Sequence, residues 1–451
     1  MTRTLLHNAI IVNDNRRYRG YVVVEGETIA LVGAGDVPSD VAQTCQAATD
    51  CRGAMLLPGV IDTHVHCREP GMTHKGTIAS ETRAAVAGGV TSILDMPNVA
   101  PPTTSAETLL AKQERAAATA ATNYACYVGA THDNIEWLVD GVDYSRVPGI
   151  KVFMGSSTGG MLLDDESALH RLFANAPARI AVHSEDEGII RQNLAEFRAR
   201  YGDDIPLRCH PLIRSAEACV ASTRRAIALA EATGARLHVL HVTTAAELEL
   251  LATTRANVTA EACVGHLALC DDDYDTLGTR IKVNPAVKTA ADRDALRRAV
   301  ASGAIATVST NHAPHLLSEK AKPYVTCPSG MPLVQFSLVT MLELARQGHF
   351  GVERVVEVMC HAPARLFGIE CRGFIAPGNF ADLTLVAPDD AGHTISDADV
   401  LSPCGWTPLT GFTVHHRVVT TWVNGHQAYH AGQVSPTLSS QPLRFTSTHH
   451  P

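Results

Sequence analysis

The sequence predicts an α/β protein built on a TIM-type (β/α)8 barrel, with a small β domain formed by both ends of the chain. Two observations predict this fold class. The middle of the chain alternates short apolar strands with helical stretches, which is typical of parallel βα units. Both ends instead carry alternating strands and turns. We therefore expect residues 1–53 and 372–451 to form the β domain and residues 54–371 to form the barrel.

The two ends of the chain share one sequence pattern, in which short runs of β-forming residues are separated by turn residues. Such runs occur near the N-terminus and again after residue 380. Because a different pattern fills the middle, we expect the two ends to meet in one domain. The predicted strands are Ala9–Val12, Tyr21–Val24, Ile29–Gly33, Ala381–Val386 and Val418–Gly425.

Eight strand candidates in the middle of the chain are short, apolar and rich in β-branched residues, as expected when both faces of a strand are covered. Helical stretches such as Glu217–Ala232 and Asp292–Ala301 lie between them. Nearly every unusual polar residue falls at the C-terminal end of a candidate strand, where TIM barrels carry their active sites. The candidates are Leu57–His66, Val90–Met96, Asn123–Gly129, Gly149–Met154, Ile180–His183, Leu237–His241, Val258–Ala262 and Ala304–His312.

The composition is that of a globular protein, since 45% of the 451 residues are hydrophobic and 18% are charged. A net charge of −9 without a basic run argues against nucleic acid as a partner. No apolar stretch reaches the ~18 residues of a membrane span, and the first residues lack the apolar core of a signal peptide. The twelve cysteines form no CxxC pair. We therefore expect reduced thiols in a cytoplasmic protein.

A candidate metal site begins at His64 and His66. Residues i and i+2 of a strand point to the same side, so both imidazoles can enter the mouth of the barrel. Imidazole nitrogen is a good ligand for zinc and similar metals. An isolated HxH pair is a weak signal, but this pair follows a long apolar run and ends a predicted strand.

His183 and His241 also end predicted strands. His238 precedes His241 on the same strand with opposite parity, so we expect only one of them to face the barrel interior. We choose His241 because it lies nearer the C-terminal end of the strand. Each histidine alone is equally well explained as a hydrogen-bonded core residue, but four histidines at strand ends favour a metal site.

Lys151 interrupts the otherwise apolar strand Gly149–Met154. A buried ammonium group is costly without a partner. Two interpretations remain open at this point. The lysine lies at the strand edge in an ion pair or with its amine reaching solvent, or its amine has taken up CO2 to form a carbamate that bridges two cations.

The segment His64–Gly71, with the sequence HVHCREPG, resembles the opening motif of dihydroorotases within the amidohydrolase superfamily. The segment Gly373–Asp382 resembles the return of that superfamily into its small β domain. The resemblance covers essentially the whole chain, and HVHxREPG followed by HAPH is far more specific than HxH alone. Four further segments that resemble dihydroorotases are Asp95–Asn98, His210–Ser215, Asn284–Lys288 and His312–His315.

The resemblance implies a binuclear centre of two divalent metal ions, with zinc the expected element. His64 and His66 would bind one ion, and His183 and His241 would bind the other. Carboxylated Lys151 would bridge the two ions, as in the lysine-bridged branch of the family.

The resemblance also implies a substrate site for a small anionic cyclic amide. A guanidinium group offers a planar fork to a carboxylate. From the residues alone, Arg68 could form a surface ion pair, Asn98 could be a turn residue and His315 could cap a helix. The implied contacts are Arg68, Asn98 and His315 to the carboxylate, Asn284 to the ring amide, and the Ser329–Gly330 backbone, including Gly330, over the substrate.

Asn311 departs from the family pattern, which has an aspartate before HAPH. In the family this aspartate binds one metal ion and shuttles a proton to the leaving nitrogen. An amide is a weak ligand and has no proton to exchange near neutral pH, and its presence leaves the site one unit more positive. Three explanations stay open: an introduced substitution, a naturally silenced or slow relative, or another group that supplies the base.

The leading functional hypothesis is a dihydroorotase that interconverts N-carbamoyl-L-aspartate and (S)-dihydroorotate in pyrimidine biosynthesis, with low activity because of Asn311. The alternatives are a hydantoinase, dihydropyrimidinase or allantoinase, some of whose character appears in Gly155–Met161. Arg68 and His312–His315 favour the carboxylate-bearing substrate. A further alternative is a non-catalytic subunit that supports a partner such as a transcarbamoylase, and homo-oligomerisation is compatible with either role. Retention of the four histidines and Lys151 argues against a decayed site.

Overall fold

The computed structural model describes residues 2–155, 160–254 and 257–446. Residues 156–159 of the Gly155–Met161 segment and residues 1 and 447–451 of the expected β domain lie outside these ranges. Among the described residues, no helix has both the length and the apolar character needed to cross a bilayer.

The strands fall into three groups along the chain. Five precede the barrel: β1 (Arg3–Asn13), β2 (Arg16–Glu25), β3 (Thr28–Ala34), β4 (Ala47–Asp50) and β5 (Met55–Pro58). Nine short strands follow: β6 (Val60–Val65), β7 (Val90–Asp95), β8 (Asn123–Cys126), β9 (Val128–Gly129), β10 (Ile150–Phe153), β11 (Ile180–His183), β12 (Leu237–Val239), β13 (Val258–Cys263) and β14 (Thr307–Ser309). Four end the described chain: β15 (Leu383–Thr394), β16 (Thr413–Val423), β17 (His426–His430) and β18 (Gln433–Val434).

Strands β6 to β14 form the barrel. They pair in parallel in the orders β6-β7-β8 and β9-β10-β11-β12-β13-β14, and β8 and β9 are separated only by Tyr127. The ring closes where the His66 amide donates to the His312 carbonyl oxygen at 2.8 Å, beside a parallel bridge between Val65 and His312. Eight parallel strand positions therefore surround one interior, and the predicted fold class is confirmed.

Helices cover the outside of the barrel, where apolar side chains from strands and helices form the largest core cluster. The predicted helix Glu217–Ala232 is observed as Ala216–Thr233, capped by the Ser215 hydroxyl. The longer helices are Ile78–Ala87, Ala106–Thr119, Glu166–Asn175, Glu187–Tyr201, Ala216–Thr233, Ala245–Thr253, Ala290–Ser302 and Ser337–Arg346. Shorter helical segments are Ser39–Gln43, Ile135–Asp140, His210–Ile213, Val264–Ala268, Tyr274–Leu277, Leu317–Lys320, Val352–Val356 and Ala362–Phe367, with single turns at Leu207–Cys209, Asp271–Asp273, Gly278–Ile281, Val334–Phe336, Glu357–His361 and Asp397–Asp399.

A second sheet joins the two ends of the chain. Its strand order is β18-β17-β16-β15-β5-β1-β2-β3, and β4 pairs with β1. Strand β5 pairs with β1 on one side and with β15 on the other, so it joins the N-terminal to the C-terminal strands. Leu56, Leu383 and Trp422 pack together in the core of this sheet.

The expected strand Leu57–His66 is divided in the structure. Met55–Pro58 belongs to the terminal sheet, and only Val60–Val65 belongs to the barrel. The division falls at Gly59, where a Cβ atom would lie 2.1 Å from the Thr91 hydroxyl oxygen. Glycine therefore allows the chain to pass from one sheet to the other against a neighbouring strand.

Candidate metal centre and substrate pocket

A cavity of about 160 Å³ opens at the carboxyl ends of the barrel strands. All the predicted metal-binding and substrate-binding residues line it: His64, His66, Arg68, Asn98, Lys151, His183, His241, Asn284, Asn311, His315 and Gly330. Phe153, Val283, Ala313, Pro328 and Ser329 complete the wall. No carboxylate side chain is among these lining residues, so the cavity presents imidazoles, amides and cations to a ligand.

Three of the predicted metal-binding imidazoles form a close group. The ring centroid of His241 lies 5.2 Å from that of His64 and 4.7 Å from that of His183. His66 adjoins the group, with its ring centroid 5.4 Å from that of His64. These four rings are called the imidazole cluster. Burial lowers the pKa of His64 to about 4 and holds the pKa of His66 and His241 well below the ordinary value. The rings are therefore neutral at pH 7, which is the form that binds metals.

Glu261 holds His64 from behind. It lies on β13 with its side chain fully buried, and its Oε1 atom is 2.9 Å from His64 Nδ1. The Thr63 hydroxyl donates to the other carboxylate oxygen at 2.8 Å. Burial raises the pKa of Glu261, but the interaction with His64 outweighs it and the net pKa is lowered. An ionised Glu261 fixes His64 with an N–H at Nδ1 and leaves Nε2 for the cavity.

His66 is held by amides on both sides of its ring. Its Nδ1 atom is 2.8 Å from the Asn98 side-chain oxygen, and its Nε2 atom is 3.1 Å from that of Asn311. Since a neutral ring carries one N–H, it donates to only one of these oxygens. Donation to Asn98 leaves Nε2 free to bind an ion, so Asn98 has an orienting contact in addition to its place in the cavity wall.

His183 is held by Glu185, whose Oε2 atom lies 2.8 Å from His183 Nε2. Arg214 forms a short ion pair with the same carboxylate. Burial raises the pKa of Glu185, but Arg214 and His183 outweigh it and lower the pKa to about 2. This contact occupies Nε2 and leaves the other nitrogen of His183, Nδ1, to bind an ion.

The prediction that only one of His238 and His241 faces the barrel interior is wrong, although His241 lines the cavity as expected. His238 also faces the barrel interior, where its Nε2 atom lies 3.4 Å from the Thr307 hydroxyl and 3.9 Å from the Glu261 carboxylate. Strand β12 ends at Val239, and His241 adopts a left-handed φ of 39°. Alternation applies only within a strand, so both histidines enter the barrel at different depths.

Lys151 is completely buried, and no described residue forms a hydrogen bond or an ion pair with its amine. The ring centroid of Phe153 lies 4.6 Å from Nζ. Burial lowers the pKa of this lysine to about 7. His241 Nδ1 is also buried without a partner. Two unpaired nitrogens beside an imidazole cluster fit a site for cations held by histidines and a carboxylated lysine.

Arg68 also lines the cavity, with 4% of its surface exposed. Its Nε atom donates to the Pro314 carbonyl oxygen at 3.1 Å, and its Nη2 atom lies 2.9 Å from His315 Nε2. Burial lowers its pKa to about 10, so the guanidinium stays charged at pH 7. Within the described residues, no carboxylate is in ion-pair distance of Arg68.

His315 lies among cations. Its Nδ1 atom is 3.1 Å from the Lys75 amine, and its Nε2 atom is 3.2 Å from the Ser329 carbonyl oxygen. Burial, Arg68 and Lys75 together hold the pKa of His315 well below its ordinary value. The neutral ring can accept from Arg68 at Nε2, or donate from Nε2 to Ser329, but not both at once.

Asn284 and Asn311 face each other in the cavity wall. The Asn311 side-chain N–H donates to the backbone carbonyl oxygen of Asn284 at 3.4 Å. The Asn284 side-chain oxygen is buried and has no partner among the described residues, so it is available to a ligand N–H. Asn311 has a left-handed φ of 50°, a conformation that asparagine and aspartate tolerate better than most residues.

The charged residues that orient His64 and His183, which are Glu261, Glu185 and Arg214, were not predicted from the sequence. Glu261 occupies an inward position of an apolar strand, as Lys151 does, so its charge was a usable signal. Glu185 follows His183 by two residues, and Arg214 lies in the His210–Ser215 motif. Their pairing joins positions 29 residues apart for Glu185 and Arg214 and 197 apart for Glu261 and His64. Spacing along the chain does not indicate such contacts.

The chain is similar to several known proteins. The model of the amidohydrolase family matches residues 55–428. A dihydroorotase of Halobacterium salinarum is 37% identical over 393 residues, which cover 86% of this chain and 88% of that protein. An allantoinase of Streptomyces avermitilis is 31% identical over 433 residues, 94% of each chain. The solved structure of the L-hydantoinase (dihydropyrimidinase) from Arthrobacter aurescens superposes with a TM-score of 0.91 at 26% identity and covers 98% of this chain and 100% of its own.

The barrel, its cavity and the family match together define the class of protein as a hydrolase on a TIM barrel. The family match spans most of the chain, and the chain belongs to the amidohydrolase family. This family is generally metal-dependent, and the resemblance to dihydroorotases stated from the motifs is confirmed by relatives of that name.

Proposed function

We propose that this chain is a cytoplasmic dihydroorotase-type cyclic amidohydrolase, which interconverts N-carbamoyl-L-aspartate and (S)-dihydroorotate in pyrimidine biosynthesis. The observation that carries the proposal is the buried guanidinium of Arg68 in a cavity wall without a carboxylate. A buried cation is costly unless an anion accompanies it, and the carboxylate of the substrate is the anion that this site lacks. The twelve free cysteines support the cytoplasmic location.

Two divalent ions, zinc by preference, would be held in this proposal by the imidazoles and by carboxylated Lys151. Their chemistry is to activate a water molecule for attack and to polarise the amide carbonyl. The support from the chain is the set of neutral rings, two of them oriented by Glu261 and Glu185, and the unpaired Lys151 amine. The proposed ligands are His64, His66, Lys151, His183 and His241, with Asn311 beside His66.

The remaining lining residues would bind and orient the substrate. Arg68, with His315 and Asn98 nearby, receives the carboxylate through charge-assisted hydrogen bonds. The unpaired side-chain oxygen of Asn284 accepts an N–H of the ring amide, and the Ser329–Gly330 backbone forms the adjoining wall beside His315. Held at both ends, the scissile amide is oriented towards the imidazole cluster.

Asn311 would make this enzyme slow. An amide at the shuttle position can neither take up nor deliver a proton at neutral pH. No carboxylate lines the cavity, and Glu185 and Glu261, which lie beside it, already hold His183 and His64. The cavity therefore binds an anionic substrate without a carboxylate base to complete the proton transfer.

A hydantoinase or allantoinase is the second candidate, because an allantoinase and an L-hydantoinase are similar to this chain over nearly its whole length. The two candidates differ in the charge of the substrate. Hydantoin and dihydrouracil rings carry no carboxylate and leave Arg68 without an anion, which is why the first candidate is preferred.

Arg68→Met tests the choice between them. Dihydroorotate should bind to the variant ~10- to 150-fold more weakly, since a hydrogen bond to a charged group contributes roughly 1.5–3 kcal/mol. Metal content should stay unchanged because Arg68 contacts no member of the imidazole cluster. Calorimetric titration with dihydroorotate, hydantoin and dihydrouracil measures the affinities, and metal analysis of both proteins measures the metal content.

Neutral rings serve as the control for this titration, since their affinity should not depend on Arg68. Tight binding of hydantoin or dihydrouracil by the unaltered chain, with weak binding of dihydroorotate, would support the second candidate instead. Failure of every ligand at full metal occupancy would favour a non-catalytic subunit, which gel filtration with a transcarbamoylase would then examine.

A further inference from the structure

A second buried cation lies next to the cavity and takes no part in the proposed binding. The Lys320 side chain is 1% exposed, and no carboxylate of the described residues lies within ion-pair distance of it. Its amine instead donates to three carbonyl oxygens, those of Lys282 at 3.0 Å, Pro328 at 3.0 Å and Gly330 at 3.1 Å. All three N–H donors of the ammonium group are thus used on backbone.

These three carbonyls belong to two walls of the cavity. Pro328 and Gly330 line it directly, and Lys282 immediately precedes Val283, which also lines it. The Lys282 carbonyl oxygen additionally accepts the Gly330 amide N–H at 2.9 Å. Lys320 therefore ties the segment Pro328–Gly330 to the neighbouring wall.

The segment Pro328–Gly330 packs closely against His315. A Cβ atom at Gly330 would lie 2.5 Å from the Ala313 carbonyl oxygen and 2.8 Å from the His315 ring, and Gly330 has a φ of 155°. Trp406 donates from its indole to the His315 carbonyl oxygen at 2.7 Å, and its ring centre lies 5.6 Å from the Lys320 amine. Close packing of this kind requires the backbone of the segment to be fixed.

We infer that Lys320 is a positioning residue, which fixes the Pro328–Gly330 backbone against His315 and so shapes the wall that receives the substrate. The inference rests on the proposed function. Without the ammonium group, three carbonyls lose their shared donor and the segment must be ordered when the ligand binds. Ordering backbone residues costs conformational entropy, so the affinity for the ligand falls.

Lys320→Met tests the inference, because methionine keeps most of the side-chain volume and removes the donors. Dihydroorotate should bind about 10- to 100-fold more weakly, and the Ser329 and Gly330 amides should exchange hydrogen faster. Metal content should not change, since no hydrogen bond among the described residues joins Lys320 to His64, His66, His183 or His241. Lys320→Arg keeps a cation with N–H donors and should retain more affinity than Lys320→Met at equal folded fraction.

Lys282→Met is the matched control. Lys282 is also a buried lysine, and its amine donates to the Tyr324 and Cys327 carbonyl oxygens at 2.6 and 2.5 Å. Neither of these residues lines the cavity, so this variant should lose stability with a smaller loss of affinity. The exposed Lys322, on the same loop, controls for charge alone, and Lys322→Met should bind dihydroorotate like the unaltered chain.

Each outcome bears on a different statement. Equal weakening by Lys320→Met and Lys282→Met would show a general loss of loop stability and would overturn the positioning role. Unchanged affinity in Lys320→Met would also overturn it, while the proposed function would stand. Absence of dihydroorotate binding by the metal-loaded, unaltered chain would overturn the proposed function and this inference together.

Discussion

Asn311 differs from an aspartate by one amide group, and the structure gives that difference a definite setting. Its side-chain oxygen lies 3.1 Å from His66 Nε2, and its backbone occupies the left-handed region. Aspartate has nearly the same shape and tolerates the same backbone conformation. Replacing this one residue should therefore change the chemistry of the site without changing the fold.

Asn311→Asp should raise turnover ~100- to 10,000-fold, the usual contribution of general acid–base catalysis. The measurement is steady-state turnover in both directions at matched metal loading, with dihydroorotate and carbamoyl-aspartate as substrates. Dihydroorotate affinity should fall or stay the same, because the added negative charge lies near an anionic ligand. Equal turnover by the two forms would mean that another group supplies the base.

Lys151→Ala should remove much of the metal, because the variant loses the anion that would bridge the two ions. Metal analysis after dialysis against zinc and bicarbonate measures the loss, and added short carboxylic acids should restore part of the binding. Lys112→Met is the control for removal of a buried lysine, since Lys112 pairs with Asp95 at 2.7 Å outside the cavity wall. Full metal occupancy in Lys151→Ala would exclude the bridge.

At the scale of elements, the ends of the strands decide which residues meet. The predicted strand Ile180–His183 was correct to the residue, because β-branched residues alternate there without interruption. The predicted strand Ala304–His312 is only Thr307–Ser309 in the structure. Beyond Ser309 the Thr310 hydroxyl donates to Asp62, and its backbone N–H does the same. Hydrogen bonds to a side chain from a distant strand therefore ended this strand early.

The residues that line the cavity were predicted from the sequence, but the residues that support them were not. Residues at strand ends or in family motifs, such as His64 and His315, line the cavity as expected, because position along a parallel strand determines the end of the barrel that a residue occupies. Glu261 and Lys320 were missed. Each acts through a contact that depends on how distant segments pack.

For the whole molecule, the terminal sheet is fastened to the barrel by buried polar contacts. Glu343, on the helix Ser337–Arg346, is 1% exposed. Its carboxylate accepts hydrogen bonds from the Arg346 guanidinium, at 2.8 Å, and from the backbone and ring of His415 on β16, at 3.1 and 3.0 Å. Burial raises the pKa of Glu343, but these hydrogen bonds outweigh it and lower the pKa to about 2.

Glu343→Gln should therefore lower the free energy of unfolding by about 1–3 kcal/mol at pH 7. The carboxylate is ionised in the folded state above pH 2 but protonated in the unfolded state below its ordinary pKa of 4.5. Its contribution is thus complete above about pH 5 and is lost as pH falls from 4.5 towards 2. Urea unfolding of both forms at pH 7, 5 and 3.5 measures the trend.

Glu114→Gln is the control for this experiment, because Glu114 is an exposed helix residue. Its substitution should change the free energy of unfolding by less than about 0.5 kcal/mol at every pH. A difference between the unaltered chain and Glu343→Gln that stays constant down to pH 3.5 would contradict the assignment of the stabilisation to an ionised carboxylate.

The sequence by itself determined the barrel, the terminal β domain and the group of side chains at the mouth of the barrel. It could do so because apolar periodicity and the position of a residue within a strand are local properties. Only the tertiary structure decided that His238 and His241 share the interior, that Gly59 divides two sheets, and that Glu261, Glu185 and Lys320 support the cavity from behind. Those features depend on contacts between segments far apart in the chain, which are selected by packing and by the need of each buried polar group for a partner.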